Sequence, residues 1–367
     1  MYEHDKRVVL TLDAGGTNFV FSAIQGNSQI IAPISFPSVS DNLDKCLANL
    51  LTGFDTVMKK LETLPVAISF AFPGPADYRN GVIGGNLPNF PSFRNGVALG
   101  PFLQHHYGIP VFIENDGNLF AYGEALSGAL PMVNQQLSIS GNTREYKNLL
   151  GITLGTGFGA GVVINNCLLN GDNGCGGDTW LMRNKKYPNM IAEESVSIRA
   201  VKRVYAELSG VKDKSLTPKD IFDIAEGTRP GNRQAAITAF EELGEMAGET
   251  IASAITLIDG LVVIGGGLSG ASKYILPALM RELSGTTGMM NGSRFARLQM
   301  KPFNLENPDE LQEFLKGQVT QVQVPGTDRW VDYDPYKRIG VAISKQGASR
   351  SIALGAYQYA LAKLDKE

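Results

Sequence analysis

The runs TLDAGGTNFVFSAI (11–24) and TLGTGFGAGVVI (153–164) share one layout: an apolar strand, a glycine-rich turn and a second apolar strand. Glycine lacks a Cβ, so it lets the chain reverse tightly and leaves backbone N–H groups uncovered; each run therefore reads as a hairpin whose turn can face a ligand. Thr11 and Thr153 lie 142 residues apart, too far for a solenoid repeat, and the pair marks either two similar domains or two unrelated hairpins. A chain of 367 residues exceeds one ordinary compact domain and suits about two.

Further apolar, β-rich runs at 65–72, 109–113 and 261–264 join those at 7–13, 18–24, 149–154 and 159–164. Helix-like segments lie between them, at about 41–63, 117–130, 192–209, 217–227, 232–258 and 347–365, which makes an α/β pattern. Residues 284–338 are polar, with scattered Gly, Asn and Pro and one short helix-like piece, and predict an excursion from the core; 131–148 predict a shorter one. With 43% hydrophobic and 19% charged residues the chain can bury a core, and wholesale disorder is excluded. A net charge of −3 without a long basic block argues against nucleic acid or an anionic membrane as the main partner. The opening MYEHDKRVVL lacks the apolar core of a signal peptide, and the apolar stretch 250–271 carries Asp259 and a glycine cluster, so it reads as a buried helix running into a buried strand. Cys46, Cys167 and Cys175 have no framework spacing and fit reduced thiols in a cytoplasm.

Three glycine turns follow apolar strands: DAGGTN (13–18), GTGFGAG (155–161) and GGGLSGA (265–271). Phosphate oxygens need several donors at close range, and bare backbone N–H groups supply them. None of the three is a P-loop or a dinucleotide fingerprint. They point to a nucleotide, although tight turns in a twisted sheet would use the same residues. Asp13 beside a triphosphate would repel it unless Mg²⁺ lies between, often through water; alternatively it hydrogen-bonds its own turn. In PVFIENDGNLFAYGEAL (110–126) a strand ends at Ile113 and a helix begins near Gly117, with Asp116 at its start. Asp116 is either an N-cap or, because Glu114, Asn115 and Asn118 crowd the same junction, a proton acceptor kept ionised by the positive helix end. In FAFPGPADYRNGVIGGNLPNF (70–90) the amides Asn86 and Asn89 suit a neutral, hydroxyl-rich ligand, or merely punctuate a loop.

Taken in order, LDAGGTN, FPGPAD with NLPNF, ENDGNLFAYGEA, GITLGTGFGAGVVINN and LVVIGGGLS resemble the motifs of the ROK family of bacterial sugar kinases and sugar-responsive regulators, within the hexokinase–actin superfamily. The resemblance covers most of the chain outside 284–338 and part of 131–148. It implies two actin/ribonuclease-H-like α/β domains flanking a cleft: 1–128 joined by the C-terminal helix 347–367, and 129–346. It implies Asp116 as general base and Gly74, Asn89 and Asn115 on the sugar. Gly15, Gly16, Thr17 and Asn18, with Thr156 and Gly157, fall on the phosphate turns, and Gly265, Gly266 and Gly267 fall near the adenosine. Glu193, four residues before Ser197, matches a late sugar-binding Glu, although Glu194 could take its place. The family's G-x-A-G-E-x-G-H run and zinc-binding cysteines are altered: GCGGDTWLM puts Asp178 for the Glu, Trp180 for the Gly and Leu181 for the His. The only histidines are His4, His105 and His106 and no C-x-C is present, so no zinc site is predicted.

The resulting expectation is an ATP-dependent hexose kinase that uses Mg²⁺ near Asp13, transfers to O6 and forms a homodimer by family habit. The alternatives are an N-acetylhexosamine kinase, using the remodelled pocket wall, and a catalytically weak sugar- or nucleotide-binding relative. A sugar-sensing regulator is disfavoured, since only 12 residues precede Asp13, too few for a DNA-binding domain.

Overall fold

The computed structural model describes residues 1–74, 76–211, 213, 215–317 and 319–366; Pro75 of the FPGPAD run and Glu367 at the end of the expected C-terminal helix lie outside the described residues. The chain divides into two compact units, Met1–Gly128 with Gly161–Gly177 and Gln346–Glu367, and Ala129–Ala160 with Asp178–Lys345. Residues 161–177, assigned from the sequence to the larger domain, group with the first unit. Gly161 shows why: a Cβ there would lie 2.5 Å from the Gly117 carbonyl oxygen, so only a bare backbone lets this segment lie against the start of helix Asp116–Ser127.

In the first unit the hairpin Val9–Ala14 and Asn18–Gln25 is antiparallel, and Val9–Ala14 continues the sheet in parallel with Ala67–Ala71 and then Val111–Glu114. Alternation along the first strand covers both faces. Val8, Leu10 and Leu12 join an apolar cluster with helices Leu43–Met58 and Leu99–Tyr107, while Val9 joins Leu354, Tyr357, Ala360 and Leu361 of helix Ala348–Leu364. The first cluster is rich in phenylalanine, with Phe21 edge-on to Phe54 at 5.0 Å and Phe72 against Phe90 at 4.6 Å. Helix Leu43–Met58 starts on Asn42, whose side chain accepts the Lys45 N–H.

A second sheet, built mostly from the second unit, repeats this order. Its hairpin, Leu149–Leu154 and Phe158–Ile164, borders Leu261–Gly265 and then Arg338–Ile343, both parallel to Leu149–Leu154's direction. The two glycine hairpins thus hold the same place in two sheets, and the internal similarity marks two similar domains. Helix Arg233–Ile258 runs into strand Leu261–Gly265, and among the described residues no helix is long and apolar enough to cross a membrane.

Two expectations are corrected. Residues 131–148 are not a simple excursion, since Ala129–Ile139 is a helix that buries Leu130, Val133 and Leu137. Nor does 284–338 stay outside the core: Lys301–Asn304 pairs in parallel with Arg338–Val341, and helix Pro308–Lys316 buries Phe314 against Tyr146. Every paired residue of the hairpins Thr286–Ala296 and Thr320–Tyr333 is exposed, as an excursion predicts, although Phe295, Val322, Trp330, Val331 and Tyr333 are among them. Helices Leu99–Tyr107 and Ser272–Leu283 lie outside the expected helical segments; Pro101 falls in the first turn, where its missing N–H is not needed, and Pro277 lies inside its helix. The expected helix 192–209 begins only at Ile198, after a short 3₁₀ turn at Ala192–Glu194.

Candidate active site

Register decides where the first unit's polar residues stand. Asp13 pairs with Ala71 and Ala71 with Glu114, so three neighbouring parallel strands end level with one another. The segments that leave those ends carry Gly15–Asn18, Gly74, and Asn115 with Asp116. The carboxyl edge of parallel strands is where an α/β sheet presents ligand-binding residues. Gly16 lies directly on Asn89, since a Cβ there would sit 3.0 Å from the Asn89 Cβ. The expected phosphate turn and the expected sugar-side amide are therefore neighbours. Ser38 and Ser40, which the sequence did not single out, both donate to the Gly16 carbonyl, and the Ser38 N–H donates to the Thr17 carbonyl at 2.9 Å. No local signal marks them, because they lie more than twenty residues from the turn they hold.

Asp13, Thr17 and Asn18 are exposed. Among the described residues the Asp13 carboxylate accepts no hydrogen bond, so it does not serve its own turn. A free carboxylate on a rigid strand end is a fitting hard-oxygen partner for Mg²⁺ or its waters. Asp116 begins helix Asp116–Ser127, but the cap is Asn115, whose side chain accepts the Gly117 N–H at 2.8 Å. The Asp116 carboxylate accepts the same N–H at 2.9 Å. The helix start does favour the ionised form, as expected, but it is not the larger influence. Burial raises the Asp116 carboxyl from its ordinary value, the Gly117 N–H lowers it, and the charge of Asp13 raises it again. Asp116 keeps contact with water, so the push comes from the low-dielectric protein around it rather than from a sealed core. A carboxylate poised this way can accept a proton and can remain reachable by a substrate hydroxyl.

In the second unit the expected nucleotide residues also share a sheet edge. Gly265 pairs with Thr153, and the turn at Gly266 crosses the end of the neighbouring strand so closely that a Cβ would lie 2.7 Å from the Leu154 N. Gly265 and Gly266 thus stand at the end of the strand that leads into Thr156 and Gly157. Glu193 and Glu194 differ in their partners. The Glu193 carboxylate accepts the Phe158 N–H at 3.0 Å and Arg199 at 2.9 Å, which ties it to the Gly157 turn; the Glu194 carboxylate accepts from Arg199, and its carbonyl from Arg203. Asp178 is exposed before the short turn Thr179–Leu181 and caps nothing with its side chain.

In the stretch after Asp178 the family's zinc-binding run is altered. Among the described residues no three His, Cys, Asp or Glu side chains gather to hold a metal, and Cys175 is exposed. Asn184 organises the stretch instead. It is buried, donates to Ser195 Oγ at 2.8 Å and accepts the Lys186 and Tyr187 N–H groups, each at 3.0 Å. Asn184→Ala leaves those donors without a partner and is expected to cost about 1–3 kcal/mol in urea unfolding. A chelator is expected to leave the melting temperature of the parent unchanged; a drop on chelation would mean that a metal holds this loop after all.

The chain matches the model of the ROK family over residues 9–294. It is 27% identical to glucokinase of Thermotoga maritima over 298 residues, 76% of this chain and 87% of that one. It is 25% identical to N-acetyl-D-glucosamine kinase of Photobacterium profundum over 325 residues, 78% of this chain and 98% of the other. The crystal structure of glucokinase from Parabacteroides distasonis superposes with a TM-score of 0.90 at 64% identity, covering 98% of this chain and 99% of that chain. On this match of motif order, strand-end geometry and family model, the chain belongs to the ROK family.

Proposed function

We propose that this ROK sugar kinase transfers the γ-phosphate of ATP to the O6 hydroxyl of a hexose, with glucose as the leading acceptor. The observation that carries the reading is the register that sets Asp13, Gly74 and the Asn115–Asp116 turn at one edge of parallel strands. The glucokinase of Parabacteroides distasonis, at 64% identity, supports glucose. Asp116 takes the proton of the attacking hydroxyl, while Asn115, Asn89 and Gly74 hold the sugar in the first unit. Asp178 and Glu193 are assigned to the sugar as well. Gly15–Asn18 and Thr156–Gly157 are assigned to the phosphates and Gly265–Gly267 to the adenosine. Asp13 would hold Mg²⁺ through its bound waters, and the cation's charge would offset that of the transferring phosphoryl group. Positioning and charge neutralisation carry most of such a reaction, since phosphoryl transfer leaves protein groups little covalent work. A cytoplasmic homodimer is part of the same proposal, by family habit.

A second reading is an N-acetylhexosamine kinase. It is favoured by Leu181, an apolar side chain 52% exposed just after Asp178, which could meet an acetyl methyl group. A coupled assay of ADP release over hexoses and N-acetylhexosamines decides between them. The expected result is sugar-dependent release with the highest kcat/KM for glucose. A higher value for N-acetylglucosamine would install the second reading, and no sugar-dependent release from folded protein would overturn both.

A further inference from the structure

We infer that Glu114 is a positioning residue that fastens the 170–177 loop to the turn carrying Asn115 and Asp116; the inference rests on the sugar-kinase reading of that turn. Glu114 ends its strand with its side chain almost wholly buried, at 2% exposure. One carboxylate oxygen accepts the Asn115 N–H at 2.9 Å and the Asn118 side-chain amide at 3.0 Å. The other accepts the side-chain amide of Asn170. Tyr359 lies near Glu114, and its hydroxyl is pushed upward first by burial and then by the Glu114 charge, which keeps it protonated. Among the described residues no Lys, Arg or His pairs with Glu114, so these donors alone offset the cost of burying it.

The arrangement joins segments far apart in sequence. Asn170 lies 56 residues beyond Glu114 and opens the loop that leads to Asp178. Asn115 is the residue whose side chain caps the helix of Asp116. A shift of the loop against that turn would move the expected sugar contacts relative to the base. All of these partners donate, so an acceptor-only group is the one that satisfies them together. A glutamine at 114 would aim an NH₂ at one donor pair. The Asn115 N–H is backbone and cannot turn away, whereas the Asn170 amide can rotate to offer its oxygen. Glu114→Gln should therefore be a partial rescue compared with Glu114→Ala.

The test uses the full chain with Glu114→Gln, Glu114→Ala and Asn170→Ala. Amide hydrogen exchange reads the clamp directly, and steady-state kinetics read its consequence. Exchange over 170–177 is expected to rise about tenfold in Asn170→Ala and Glu114→Ala and less in Glu114→Gln. The sugar KM is expected to rise about tenfold in Asn170→Ala, with the ATP KM unchanged and kcat within about threefold. Combining Glu114→Ala with Asn170→Ala should raise exchange over 170–177 little beyond Glu114→Ala alone, because both remove the same Glu114–Asn170 bond. Unchanged exchange across the loop in folded variants overturns the inference whether or not the protein proves to be a kinase. So does an equal rise in both KM values, which marks a merely structural role. A parent without sugar-dependent ADP release but with the exchange pattern above would overturn the kinase reading and leave the clamp in place.

Discussion

Asp116→Asn is expected to lower kcat by about 10²–10⁴-fold, the usual loss when a positioned general base is removed, while the sugar KM stays within about threefold. The amide keeps the shape and the contact with the Gly117 N–H but cannot take the hydroxyl proton. The same residue predicts the pH behaviour of the parent. Burial raises the Asp116 carboxyl from its ordinary 3.8, so kcat/KM falls on acidification at a pH above that of an ordinary aspartate. The sign for stability runs the other way. The folded state holds this proton more tightly than the unfolded chain, so stability is greatest where Asp116 is protonated. It declines as pH rises from 3.8 through the raised folded value, and the deficit persists at neutral pH. Asp116→Asn removes the deficit, and its melting temperature at pH 7 should equal or exceed the parent's. Near-normal turnover in this variant would remove Asp116 as the base. Joint loss of turnover and melting temperature would mean that the side chain is structural.

Gly355→Val is expected to cost about 3 kcal/mol or more and to lower the melting temperature by roughly 5–10 °C. Helices Asp116–Ser127 and Ala348–Leu364 cross at Gly123 and Gly355. A Cβ at Gly355 would strike the Leu119 carbonyl oxygen, and one at Gly123 would strike the Ser351 carbonyl oxygen. Both obstacles are helix backbone, so no rotamer change relieves them and the helices must part. The helix that moves carries Asp116 at its first position, so kcat should fall with stability. Gly123→Ala acts through the same separation, and the double variant should lose less than the sum of its parts. A melting temperature within about 1 °C of the parent would show that the crossing is loose.

The candidate site was legible in the sequence to the extent that its chemistry is local. LDAGGTN and ENDG pack a carboxylate, amides and glycines into a few consecutive residues after apolar runs, and such density at a strand end can be read without a fold. The C-terminal helix was legible as a helix, but its Gly355 was not legible as a crossing point, because the partner, Gly123, lies 232 residues earlier. Glu114 was visible as one more polar residue at a crowded junction. Its bond to Asn170 was not, since that partner lies 56 residues further along the chain. Likewise Lys301–Asn304 looked like part of an excursion, because a strand of four residues with a lysine and a proline declares itself only through the strand it pairs with.

The sequence by itself determined the α/β class, the paired hairpins, the family resemblance and the order of the glycine turns, because these depend on residue type and on spacing along a few turns of chain. The tertiary structure decided which strand ends stand level, that Gly16 meets Asn89, that Asn115 rather than Asp116 caps the helix, and that Asn184 organises the stretch after Asp178. These depend on packing between segments far apart in the chain, where close approach and buried hydrogen bonding, not local propensity, select the arrangement.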